Sequence, residues 1–185
     1  MIRCIALTLF LVAAAAAQEP APFERNGFSF GIALGAGTLR LNTNDTISSS
    51  ITSTLPNIRI AYQLRQDLAV GVLLPGAVYA YHGKDRGFEA VLLTGQYWFR
   101  ERWWVLGGAG MTLDAPAFYT VSDPSAADFH TGFPALTAAV GYEIWQKDEW
   151  VVHVQYRFFT GRTVLPNGGE RSGISNMISV GIDRY

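Results

Sequence analysis

The chain has 185 residues, enough for one domain, and only 16% of them are charged, against roughly 25% in an ordinary soluble domain. Its formal net charge of −1 supplies no basic field for nucleic acid. The single cysteine, Cys4, sits near the N-terminus, so the rest of the chain offers no disulfide, thiol nucleophile or cysteine-based metal site.

The N-terminus reads as a secretion leader. Arg3 precedes an apolar run over residues 5–17, broken only by Thr8, and Ala15-Ala16-Ala17 before Gln18 forms a small-residue cleavage site. The run is too short for a membrane-spanning helix, which needs about 20 residues. Residues 1–17 are therefore expected to be removed, leaving a short segment, 18–25, ahead of a single domain over 26–185.

From residue 27 onward the hydrophobic period is two, the period of strands. Phe28, Phe30, Ile32, Leu34 and Ala36 alternate with Gly27, Ser29, Gly31, Ala33 and Gly35. Ile58, Ile60, Tyr62 and Leu64 alternate with Arg59, Ala61 and Gln63, and Leu68, Val70, Val72 and Leu74 form a third set. Val91, Leu93, Tyr97 and Phe99 stand against Thr94 and Gln96. A fifth set, Trp103, Val105, Ala109 and Met111, is weaker because Trp104 and Leu106 blur its faces. Leu136, Ala138, Val140, Tyr142 and Ile144 oppose Thr137 and Glu143. In WVVHVQYRFF, Trp150, Val152, Val154, Tyr156 and Phe158 alternate with residues that include His153, Gln155 and Arg157. Ile174, Ile178, Val180 and Ile182 finish the series against Ser175, Ser179 and Asp183.

The connections alternate strictly between tight polar turns (65–67, 100–102, 146–149) and long loop-like stretches (42–54, 75–87, 114–131, 161–173). Eight antiparallel strands with short turns at one end and long loops at the other predict an all-β, up-and-down transmembrane barrel. The composition of the faces decides which side meets lipid. The non-apolar face is mostly Gly, Ala, Ser and Thr with isolated charges, too sparse to solvate an exterior but suited to the narrow interior of an eight-stranded barrel. The large apolar face then meets lipid, and ring closure pairs every backbone N–H and C=O. Phe28, Tyr62, Tyr97, Phe99, Trp103, Tyr142, Trp150 and Tyr185 cluster near the short turns or the end of the sequence, as an interfacial aromatic girdle would.

Over residues 26–185, strand count, loop asymmetry and the ending VGIDRY make the chain resemble the small eight-stranded outer-membrane proteins, the class of OmpX and the membrane domain of OmpA. The resemblance implies a Gram-negative-type envelope, periplasmic termini, surface loops and a final aromatic read by the barrel-insertion machinery. Tyr185 supplies that aromatic. Its parity departs from the pattern, since Ile178, Val180 and Ile182 place it on the opposite face unless the last residues bulge. Outer-membrane lipid and the insertion machinery are the expected partners, with an unidentified surface ligand as an alternative. A monomer without cofactor or nucleic acid is expected.

The candidate site is the lumen. Arg59, Gln63, Gln96, Glu143, His153, Gln155, Arg157 and Asp183 all fall on the inward face, with Glu143 opposite His153 if the turn at 146–149 sets the register. Buried charges require partners, so a plug of ion pairs and hydrogen bonds with a structural envelope role is the main expectation. A narrow gated path for ions or water is the sharper alternative, and recognition by long loops a third. An enzyme is not expected. Lipid A deacylases share the architecture and carry His-x-Ser near the end, whereas the corresponding FFTGRTVLPNGGERSGISN has no histidine. His82 with Asp85 and His130 with Asp128 are dispersed loop residues. The face assignment makes Val154→Arg harmful and Gln155→Arg mild.

Overall fold

The computed structural model describes residues 23–43, 46–81, 84–117 and 129–185. The leader at 1–17, most of the 18–25 segment, His82 and Asp128 lie outside the described residues.

Ten strands follow in order: β1 (Phe28–Thr43), β2 (Thr46–Ser53), β3 (Asn57–Arg65), β4 (Leu68–Leu74), β5 (Gly76–Tyr81), β6 (Lys84–Arg100), β7 (Trp103–Pro116), β8 (His130–Lys147), β9 (Trp150–Val164) and β10 (Glu170–Arg184). Eight of them, β1, β3, β4, β6, β7, β8, β9 and β10, are antiparallel neighbours in that order, and β10 returns to β1 to close the ring. Even-numbered residues of β1, β9 and β10 point outward and odd-numbered ones inward. The outward face is apolar and open: Phe28 is 67% exposed, Leu93 73% and Ile178 64%. From the Trp150–Arg184 pair to the Thr160–Ile174 pair is ten residues along β9 and β10. At about 3.3 Å per residue and a tilt of about 40°, that run spans about 25 Å, the height of the apolar band of a transmembrane barrel.

Two stretches expected as loops are largely strand. β2 carries on the line of β3 along β1, in register from Ala36↔Ser53 to Thr43↔Thr46. β5 likewise carries on β4 along β6, from Gly76↔Glu89 to Tyr81↔Lys84. Ser48, Ser49 and Ser50 are all exposed, because this part of the wall stands beyond the lipid and needs no apolar face. Pairing with β1 satisfies their backbone instead. Apolar alternation is therefore absent where the strand is present. The two breaks, at 54–56 and at 75, hold Pro56 and Pro75, whose missing N–H costs least where a ladder is interrupted. Across them Thr54 bridges Ala77, and Leu55 N donates to Gly76 O at 3.1 Å.

At the opposite end, β8 and β9 are joined by Asp148 and Glu149, with Asp148 at φ 54°, a left-handed conformation that aspartate tolerates better than most residues. A bulge between Glu143 and Trp145 changes the parity just before this turn. Ile144 and Trp145 are consequently both outward, at 49% and 45% exposure.

Candidate functional site: a filled lumen

The inward residues are arranged in layers along the barrel axis. Nearest the short turns, Glu143 is fully buried and its two carboxylate oxygens are occupied by three donors. Trp98 Nε1 donates to Oε1 at 2.7 Å, while Arg25 Nη2 and Gln146 Nε2 each donate to Oε2 at 2.5 Å. Arg25 precedes β1, yet its guanidinium enters the barrel mouth, lies 4.7 Å from the Trp98 ring and donates to Glu101 O at 2.9 Å. Gln63, close by, donates to Arg65 O at 2.7 Å.

Tyr185 belongs to this layer and not to the girdle. Its ring lies 6.2 Å from that of Trp98 and 5.6 Å from that of Phe23, with the Arg59 guanidinium 5.9 Å away. No bulge intervenes between Ile182 and the end of β10, so strand parity carries the ring inward. The other seven girdle residues face outward at the short-turn end, where Phe28 packs on Tyr62 at 5.0 Å and Trp103 on Tyr142 at 4.8 Å.

The middle layer holds Arg59, Gln96, His153, Gln155, Arg157 and Asp183, each less than a tenth exposed. Arg59 Nη2 is 3.2 Å from Asp183 Oδ1, and Arg59 Nη1 donates to Gln96 Oε1 at 3.0 Å. His153 sits beside Glu143 in the β8–β9 register, but its Nδ1 faces Asp183 Oδ2 at 3.2 Å, since Glu143 is taken by Arg25. Arg157 Nη2 donates to Gln155 Oε1 at 2.8 Å. Two glycines make room for this packing. A Cβ on Gly31 would fall 1.7 Å from Asp183 Oδ1, and one on Gly181 would fall 2.4 Å from His153 Nε2.

Beyond this layer large apolar side chains take over the lumen, with the small polar Thr94, Thr137 and Ser175 between them. Leu39, Leu73, Phe88, Leu92, Leu106, Phe159 and Met177 fill it, and Trp104 packs edge-on to His153 at 5.5 Å. Trp104 and Leu106, which blurred the fifth alternating set, are 2% and 4% exposed and belong wholly to the interior.

The last layer lies in the wall beyond the apolar band. Asp114 Oδ1 accepts from Arg86 Nε at 2.8 Å, Oδ2 accepts from Arg171 Nη1, and the Tyr79 hydroxyl donates to the same carboxylate at 2.8 Å. Arg171 also donates from Nε to Thr43 Oγ1 at 3.1 Å, linking β10 to β1. Sequence reading missed this cluster by placing Asp114, Arg171 and Arg86 in loops. Extending the parity of β10 from Asp183 back through Ser175 would have put Arg171 inside.

Burial pushes the Tyr79 phenol above its ordinary value, helped by the Asp114 carboxylate and opposed by Arg171 and Arg86. A raised folded value means that the stabilisation is fully present below the ordinary tyrosine pKa of about 10 and is lost as pH rises from there through the folded value. Urea unfolding followed between pH 8 and pH 12 (an experimental range of about four units) should show that alkaline loss, and Tyr79→Phe should remove this component of it.

Taken together, a closed eight-strand ring, an apolar exterior band and a side-chain-filled interior define a small transmembrane β-barrel. Comparison with solved structures gives the same fold. Neisserial surface protein A (NspA) superposes with a TM-score of 0.61 at 15% identity, over 86% of this chain and 97% of that one. Ail, the attachment invasion locus protein of Yersinia pestis, gives a TM-score of 0.53 at 14% identity, over 86% and 99% of the two chains. The outer membrane protein AlkL, solved in DMPC bilayers, gives 0.52 at 14% identity, over 90% and 92%. The shared property is the architecture of the small eight-stranded outer-membrane barrels. No protein-family model matches the sequence, and no curated protein matches it in sequence.

Proposed function

We propose that the chain is an integral outer-membrane barrel with a structural role in the envelope, exported by its N-terminal leader and oriented with the short turns in the periplasm. The observation that carries this reading is the closed lumen. Its charged layers are packed with their own side chains, an apolar layer lies between them, and the cavity in the middle layer measures about 10 Å³, room for one water-sized particle. A path for ions would need a continuous wet track, and Phe88, Leu92 and Leu39 stand across it at 1% exposure or less. AlkL and Ail supply the outer-membrane setting by fold analogy alone.

Planar-bilayer recording of the purified, refolded barrel tests the reading directly. The expected result is a flat baseline at physiological salt. Reproducible unitary currents from the folded monomer would overturn the structural role in favour of a pore.

A further inference from the structure

Among the described residues, the middle layer carries more positive than negative charge. Arg59 and Arg157 are both buried there, and the one carboxylate, Asp183, is already shared between Arg59 and His153. Glu143 contributes nothing to the balance, being paired with Arg25 in the next layer. With His153 neutral the layer holds one excess positive charge, and with His153 protonated it holds two. An uncompensated charge in a buried site is strongly destabilising.

The small cavity lies among these groups, lined by Arg59, Gln96, Trp104, His153, Arg157 and Asp183 together with Gly31, Gln155 and apolar side chains. Its hydrogen-bonding atoms divide unevenly. The Gln96 and Gln155 carbonyl oxygens are engaged by Arg59 and Arg157, and the Asp183 oxygens by Arg59 and His153. Among the residues that line the cavity, the buried side-chain atoms left without a hydrogen-bond partner are all nitrogens, and Ser179 Oγ, across the strand from Gln155, is also without one. Arg157 Nε and Nη1, Gln96 Nε2 and Trp104 Nε1 have no contact of their own, while Arg59 Nη2 and His153 Nδ1 face Asp183. Arg157 itself is 5% exposed.

We infer that this cavity is a binding site for one small monovalent anion of halide size, held by Arg157, Gln96 and Trp104 as the counter-ion of the lumen. A water molecule could donate to the unused lone pairs of Asp183, Gln96 and Gln155, but it would leave the excess charge uncancelled. A halide has no protons, accepts four or more donors and cancels the excess charge. The cavity has room for a single small particle, which favours a monatomic ion over the larger phosphate or sulfate. The closed lumen means that the ion enters as the barrel forms.

The test is to refold the full chain in detergent micelles in sodium bromide, and separately in a sodium salt of a bulky monovalent sulfonate at equal ionic strength. The bromide crystal should show one anomalous difference peak in the cavity. At a bromide concentration about ten times its dissociation constant, the folding equilibrium constant should be about tenfold higher than in the sulfonate. Arg157→Gln should abolish that difference. Should Arg157→Gln not fold, Trp104→Phe removes one donor, keeps an apolar ring and should reduce the halide effect several-fold. A cavity without an anomalous peak, or a halide effect of equal size in the wild type and the variants, overturns the assignment.

Discussion

Asp183→Asn is expected to be the most damaging single change in the lumen. It leaves Arg59 without its counter-charge 3.2 Å away and removes the acceptor facing His153, at a site where both arginines are less than a tenth exposed. Breaking one side of a buried ion pair costs about 3–5 kcal/mol, a large share of the roughly 5–15 kcal/mol that holds a typical fold together. Equilibrium urea unfolding of the refolded barrel measures it. The double variant Asp183→Asn/Arg59→Met should recover a large part of the loss, because it removes the stranded charge along with its partner. A loss below about 1 kcal/mol for the single variant would mean that water reaches Arg59, and that the lumen is not closed.

Val154→Arg is the corresponding lesion on the outside. Val154 lies four residues above Trp150 and six below Thr160 on β9, close to the middle of the apolar band. An arginine facing lipid at that depth costs about 2–4 kcal/mol, falling to about 0–1 kcal/mol near the interface. Thr160→Arg, at the edge of the same strand's band, is therefore the matched mild control. The lumen-facing neighbour cannot serve as one. Gln155 is 3% exposed and accepts from Arg157, so Gln155→Arg would bring a third guanidinium into a layer already rich in positive charge. Folding yield in lipid vesicles should rank wild type and Thr160→Arg close together, with Val154→Arg well below. A yield for Val154→Arg as high as that for Thr160→Arg would overturn the placement of Val154 in the middle of the lipid-facing band.

These lesions separate what a two-residue period can convey from what it cannot. The ring was legible because lipid enforces alternation: Val152, Val154 and Tyr156 are outward, and His153, Gln155 and Arg157 inward, as WVVHVQYRFF reads. Where lipid stops, so does the signal. β2 and β5 lack apolar alternation, and with them went Tyr79, Arg86, Asp114 and Arg171, whose cluster fills the barrel beyond the band. Parity also says which side a residue takes but not which partner it finds. Glu143 and His153 are cross-strand neighbours, yet they bind Arg25 and Asp183. Arg25 was hidden for a different reason, since it precedes the first strand and no period applies to it. The apolar interior of Trp104, Leu106 and Phe159 was masked because a greasy lumen looks, in sequence, like a strand with no preferred face.

Arg25 and Tyr185 come from opposite ends of the ring, one just before β1 and the other just after β10, and meet on the axis with 5.9 Å between guanidinium and ring centre. Other junctions in the wall join strands close in sequence, whereas β1 and β10 must find each other across the whole domain. Loop-closure entropy makes that the costliest seam to bring together. The stopper at the short-turn mouth thus also serves as a buckle. Phe23 and Arg25 on one strap and Tyr185 on the other fasten the two ends of the wall where the backbone ladder alone would fray first.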